Sequence, residues 1–229
     1  MRAQLGGSSR QSLVAARIAL DAAVKGVDAQ TASTLSAELF FAADVLGSNI
    51  SVRRALTDTS RDAAAKGTLI KDLLASKVGK AAVGLLTDLA ALRWSGTKDL
   101  VQVIEQLAIE AEATAANISG ELDRVENEMF VISNTISNSS ELRKAVKSDA
   151  QVAKAQLVAE LLKNASSSTT KLVSQMVNAW RGRSIESAFA DFQWALAARR
   201  NRVIALVRIA APPAARAPHH PAPTPPAGP

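Results

Sequence analysis

The 229-residue chain has no cysteine and no tyrosine, and only three tryptophans and five phenylalanines. Its eight prolines all lie between Pro212 and Pro229, and both histidines, His219 and His220, share that tail. Without cysteine there is no disulfide framework and no thiol nucleophile. A body that also lacks histidine has no zinc site of the usual kind and no histidine general base. The proline-free stretch is rich in Ala and Leu. It suits helices better than sheets, which favour β-branched and aromatic residues and proline-bearing turns. The expectation is an all-α body of one or two domains followed by a disordered Pro/Ala-rich tail. No run reaches 18 apolar residues, so no membrane span or direct membrane insertion is expected. Met1–Gly7 lacks the layout of a secretory signal, which makes the cytosol the default compartment.

The formal net charge is +6, and it is unevenly placed. Residues 1–120 are nearly balanced. Between 163 and 208, Lys163, Lys171, Arg181, Arg183, Arg199, Arg200, Arg202 and Arg208 face only Glu186 and Asp191. Such a segment could hold nucleic acid, anionic lipid or an acidic protein. The plainer reading is solvated helix termini, where Arg complements the dipole.

An internal repeat runs through the body at an offset of 90 residues. Glu38-Leu39-Phe40-Phe41 matches Glu128-Met129-Phe130-Val131, and Val52-Arg53-Arg54-Ala55-Leu56 matches Leu142-Arg143-Lys144-Ala145-Val146. At an offset of 88, Ala65-Lys66, Leu69-Ile70 and Leu73-Leu74 match Ala153-Lys154, Leu157-Val158 and Leu161-Leu162. Ser8…Gln11, Thr59…Asp62 and Ser148…Gln151 have the spacing of capping boxes. Gly26, Gly47, Gly96 and Gly182 fall where the periodic patterns stop. The first unit reads as helices 9–25, 30–47, 51–57, 60–76, 79–94 and 98–118. The second reads as 121–137, 141–147, 149–164, 166–180 and 185–201. Helix 98–118 serves both, closing a first bundle (8–118) and opening a second, partly duplicated one (98–201). Arg202–Ile209, β-branched and framed by arginines, reads as a short orphan strand (202–210), with the disordered tail over 211–229.

No catalytic, cofactor or metal constellation emerges. Gly79-Lys80 lacks the upstream glycine of a phosphate loop, and His219-His220 is a weak metal doublet. Glu105, Glu110, Glu112, Glu121, Asp123, Glu126 and Glu128 read as the solvated face of long helices. Helix 9–25 is more informative. Leu13, Ala16, Leu20 and Val24 form one apolar stripe, and Val14, Ile18 and Ala22 a second. Helix 79–94 likewise offers Val83, Leu86 and Ala90 on one side and Ala82, Leu85 and Leu89 on another. Where a surface helix needs one stripe, a second one is either core or a docking face. A groove between these two helices would accept an amphipathic helix from another protein. On that reading Leu20→Arg and Leu86→Arg would break a complex and spare the fold; if both stripes are core, the two variants unfold.

Glu38-Leu39-Phe40 at the opening of a helix, the short helix Val52–Asp58, the Ala65-Lys66…Leu69-Ile70…Leu73-Leu74 helix and the exit through Arg202–Ile209 resemble the delta subunit of F-type ATP synthases, the oligomycin sensitivity-conferring protein family. The resemblance covers about residues 8–210 and fits a long form whose helical N-terminal domain is partly duplicated. It implies a non-catalytic stator subunit, peripheral on the cytoplasmic face of the membrane. In that family the helical domain binds N-terminal helices of the alpha subunits, and a mixed α/β domain holds the b-subunit stalk. The groove residues that follow are Leu13, Leu20, Val83, Leu86 and Ala90. The b-subunit contact rests on a domain whose further strands and Gly-Gly segment are missing here; the GC-type composition of the tail suggests a shifted reading frame. The competing reading is a basic helical nucleic-acid-binding or scaffold protein, disfavoured by the scarcity of aromatics and the lack of a recognition helix.

Overall fold

The computed structural model describes residues 5–148 and 150–200. Among them every regular element is helical: α1 (Gly7–Ala23), α2 (Ala29–Ser48), α3 (Ile50–Thr57), α4 (Ala63–Leu74), α5 (Lys80–Ala91) and α6 (Thr97–Ile118), then α7 (Leu122–Asn138), α8 (Ser140–Val146), α9 (Gln151–Leu161), α10 (Ser167–Asn178) and α11 (Ile185–Arg199). These are the eleven helices expected from apolar periodicity, displaced by no more than a turn at either end. The expected strand at 202–210, the tail at 211–229 and the His219-His220 doublet lie outside the described residues.

Several helices start where a short polar side chain satisfies an N–H that has no partner within the helix. Asp28, Asn49, Asp62, Ser139, Ser166 and Ser184 each accept from the backbone three residues on. The expected capping boxes are displaced. Asp62, not Thr59, caps α4, and α1 begins after Gly6 with no side-chain cap. Ser148 accepts from the N–H of Ala150 in the turn before α9. Gly26 and Gly182 do sit past helix ends with φ of +71° and +75°, a conformation that costs glycine least. Gly47 instead lies in the last turn of α2, and Gly96 precedes α6.

The repeat is structural. Each helix of α6–α11 begins 87–93 residues after its counterpart in α1–α6: Gly7 and Thr97, Ala29 and Leu122, Ile50 and Ser140, Ala63 and Gln151, Lys80 and Ser167, Thr97 and Ile185. Fine detail repeats as well. Arg53 donates to the carbonyls of Leu46 and Gly47, and its counterpart Arg143 to that of Ser137. The Glu38 carboxylate accepts the N–H of Gly79 ahead of α5, and Glu128 that of Ser166 ahead of α10.

α6 closes one set and opens the other. It packs against α1, α2, α3, α5, α7, α10 and α11, and 14 of its 22 residues are buried, which places it at the centre. One continuous apolar cluster runs from Ala16 on α1 to Leu196 on α11. α2 reaches across to the second set, where the Phe40 ring stacks on Phe192 of α11 with centroids 6.4 Å apart.

Two predictions follow from these positions. Phe40→Ala should cost about 3–5 kcal/mol in urea unfolding. Phe130→Ala, at the equivalent but 59% exposed position, should cost no more than about 0.5 kcal/mol. The second concerns pH. Burial pushes the Glu128 carboxyl up, but hydrogen bonds from Thr169, Ser166 and Arg124 outweigh it and hold its pKa at about 2. A folded-state pKa below the unfolded one stabilises above the unfolded value and is lost as pH falls through the folded value. Stability should therefore decline from about pH 4.5 down to about pH 2, and Glu128→Gln should flatten that part of the profile in pH-dependent melts.

Candidate functional site

α1 and α5 lie side by side and run antiparallel. The Ser12 hydroxyl donates to the carbonyl of Arg93 at 2.6 Å, just past the end of α5. Ser9 donates its N–H to Ser95 Oγ, accepts the N–H of Ser95 and donates its hydroxyl to Asp99 at 2.6 Å. The first turn of α1 is thus fastened to the α5–α6 connection.

The two stripes of α1 part company. Ala16, Leu20 and Val24 are buried, with Leu13 half-buried beside them. Val14 and Ile18 stand 60% and 66% exposed, and Ala15 and Ala22 are exposed on the same side. On α5 both stripes turn inward: Ala82, Leu85, Leu86, Leu89 and Ala90 are buried and Val83 is half-buried. Past the exposed Lys80 at its first position, the exposed residues of α5 are Ala81, Gly84, Asp88 and Ala91.

These placements correct the expected contact set. Leu20 at 0%, Leu86 at 1% and Ala90 at 0% exposure are core residues, because helix periodicity turns them toward α6 and the apolar cluster. Leu13 and Val83 keep some exposure at its edges. Leu13 also lines a separate cleft of about 780 Å³ between α1, α6 and α11, together with Arg17, Val103, Ile109 and Trp194. The exposed apolar surface is the second stripe, Val14 and Ile18. It was legible as a stripe, but which stripe faced outward was not.

A second correction concerns the acidic residues. Glu105, Glu110 and Glu112 were expected on a solvated face, yet they are 3%, 0% and 1% exposed. Each is met by cations from other elements. Arg17 of α1 grips Glu110 at 2.7 Å, and Lys171 of α10 reaches Glu112 at 2.8 Å. Arg181 and Arg183, ahead of α11, both bind Glu105, at 3.3 and 2.8 Å. Arg181 also holds Asp44 at 2.5 Å and the carbonyl of Ala43. It adopts a left-handed φ of +49°, a small strain that its three partners offset. Arg199 pairs with Asp21, and Arg200 with Asp123 and Glu126. Among the described residues of the basic segment, Lys171, Arg181, Arg183, Arg199 and Arg200 are thus paired with carboxylates within the fold. Among the described residues no three His, Asp or Glu side chains gather as metal ligands, and no single helix is long and apolar enough to cross a membrane.

A duplicated helical body, a buried ionic centre and an exposed apolar stripe define a binding and assembly protein. Comparison with known proteins makes the class specific. A family profile described as ATP synthase delta (OSCP) subunit matches residues 110–217. The ATP synthase subunit delta of Streptomyces coelicolor is 40% identical over 209 residues, spanning 90% of this chain and 76% of that protein. Those of Streptomyces avermitilis and Kineococcus radiotolerans are 36% and 34% identical over the same share of this chain, with 76% and 75% of those proteins covered. The chain belongs to the ATP synthase delta (OSCP) subunit family, the peripheral-stalk or stator subunits of F-type ATP synthase.

The burial pattern carries its own test. Leu20→Arg and Leu86→Arg each put an unpaired charge into the apolar cluster and should cost about 4 kcal/mol or more. Both should lower the midpoint of a circular dichroism melt steeply. Val14→Asp and Ile18→Asp, on the exposed stripe, should melt as the parent does.

Proposed function

We propose that this chain is a non-catalytic stator subunit that caps the alpha/beta catalytic sector of a proton-translocating F-type ATP synthase at the cytoplasmic face of the cell membrane. It docks an N-terminal helix of an alpha subunit on the groove between α1 and α5. The observation that carries this reading is the exposed apolar pair Val14 and Ile18 beside the small outer face of α5. An amphipathic helix laid there would cover the pair and gain about 1.5–3 kcal/mol for each large side chain removed from water. Leu13 and Val83 would flank the contact, while Leu20, Leu86 and Ala90 would support it from below. The chain is read as two bundles, 8–118 and 98–201, joined through α6. The b-subunit stalk, whose contact in that family needs a mixed α/β domain, is a doubtful partner for this chain and is not carried by the described residues. Peripheral association through these partners needs no membrane-inserted helix. The pairing of Lys171, Arg181, Arg183, Arg199 and Arg200 with carboxylates disfavours nucleic acid as a partner.

Titration with a peptide of the alpha-subunit N-terminal helix tests the reading. Binding is expected well below about 100 μM, the range of useful helix-in-groove contacts. The Val14→Asp/Ile18→Asp double variant should bind at least about tenfold more weakly, a loss of roughly 1.4 kcal/mol or more. No binding to the parent chain at 100 μM peptide, on the order of the weakest useful contact, would sink the proposal.

A further inference from the structure

We infer that the second repeat's counterpart of the α1–α5 groove is already filled by α2 of the same chain, so that the duplicated body offers one helix-docking groove, not two. This rests on the docking reading above and goes beyond it to the number of sites and the chemistry of the one left open.

In the second repeat α6 stands where α1 stands in the first, and α10 where α5 stands. The exposed residues Val14 and Ile18 correspond to Ile104 and Ala108, which are 1% and 0% exposed. The helix that packs most extensively on α6 is α2. α2 also touches second-repeat elements at three places between Ser33 and Asp44. Near its start, Lys171 of α10 donates to the carbonyl and hydroxyl of Ser33. At its middle, Phe40 stacks on Phe192 of α11. Toward its end, Arg181 takes the carbonyl of Ala43 and the carboxylate of Asp44. Ser33, Phe40 and Asp44 are spaced i, i+7, i+11 and so form one stripe of a helix. α2 therefore lies on the second repeat as an amphipathic helix lies in a groove.

The polar residues that fasten α2 there have no polar counterparts in the first repeat. Glu112 accepts from Lys171, Ser168 and Ser33. The positions equivalent to Glu112, Lys171 and Ser168 are Ala22, Gly84 and Ala81, and the position equivalent to Glu105 is Ala15. All four are exposed. At these positions the open groove thus has a floor of alanine and glycine, with the exposed Asp88 of α5 beside it, bordered by Val14 and Ile18. A Cβ built on Gly84 meets nothing within 4 Å, so the surface over it is free in the chain alone. The occupant it fits is a single amphipathic helix, held by an apolar face with close backbone approach and without ion pairs to that floor.

Isothermal titration of the whole chain with the alpha-subunit N-terminal helix peptide, combined with hydrogen exchange, tests this. One peptide per chain is expected, with slowed exchange confined to α1 and α5. Gly84→Lys imports the residue found at the equivalent place in α10 and removes a helix-interior glycine, so it should fold at least as well. It should weaken binding at least about tenfold and leave no second site. Two peptides per chain, or residual binding to Gly84→Lys that protects α6 and α10, would overturn the single-groove inference and leave the docking reading standing. No binding to the parent chain would overturn both.

Discussion

Three carboxylates buried in one helix set the terms for the rest of the molecule. Glu105, Glu110 and Glu112 lie in α6 at 3% exposure or less. A charge so placed is tolerated only with a well-formed cationic partner, because desolvation otherwise costs several kcal/mol per ion. The partners come from α1 (Arg17), α10 (Lys171) and the turn before α11 (Arg181 and Arg183). Ser33, on α2, completes the shell around Glu112. Apolar burial can draw these helices together, but it is forgiving about register. The ion pairs are not, since sliding α10 or α1 by one turn would leave a buried glutamate unmatched. We therefore assign register to the ionic centre and bulk stability to the apolar cluster around it.

Sharing α6 gives equivalent positions unequal fates. Phe40 is 1% exposed and stacks on Phe192 of α11, whereas among the described residues no ring covers its counterpart Phe130, which is 59% exposed. Val14 and Ile18 are exposed while Ile104 and Ala108 are buried, in keeping with the extensive packing of α2 on α6. This is the logic of stacked repeats, in which inner faces are apolar and the terminal units keep an uncovered end.

Apolar periodicity made all eleven helices legible, and self-similarity at 90 residues revealed the duplication before any coordinates. The resemblance carried by Glu38–Phe40 and Val52–Asp58 pointed to the correct family. The buried carboxylates were not legible. Glutamate is almost always exposed unless paired, and the pairing residues stand 93, 59 and 76 positions from Glu110, Glu112 and Glu105. The exposed apolar stripe was half legible. Periodicity separates Val14 and Ile18 from Leu13 and Leu20, but only the position of α6 decides which set is inside. The partners of Lys171, Arg181, Arg183, Arg199 and Arg200 were not legible either, because they too lie far away in sequence.

Duplication of a binding unit need not double its valence. When a repeat is added by sharing a helix, the shared helix must bury the face its counterpart leaves open, and the covering element comes from within the chain. On the proposed reading the cost of the arrangement is one docking groove; the gain is a centre in which the helix neighbours of α6 are tied by packing or by charge. A stator works under load and needs stiffness between its contacts more than it needs repeated contacts. Replacement of Ala15, Ala22, Ala81 and Gly84 by Glu105, Glu112, Ser168 and Lys171 is the chemical form of that exchange. A transient surface is kept small and apolar, and its internal equivalent becomes a permanent, charge-registered seam.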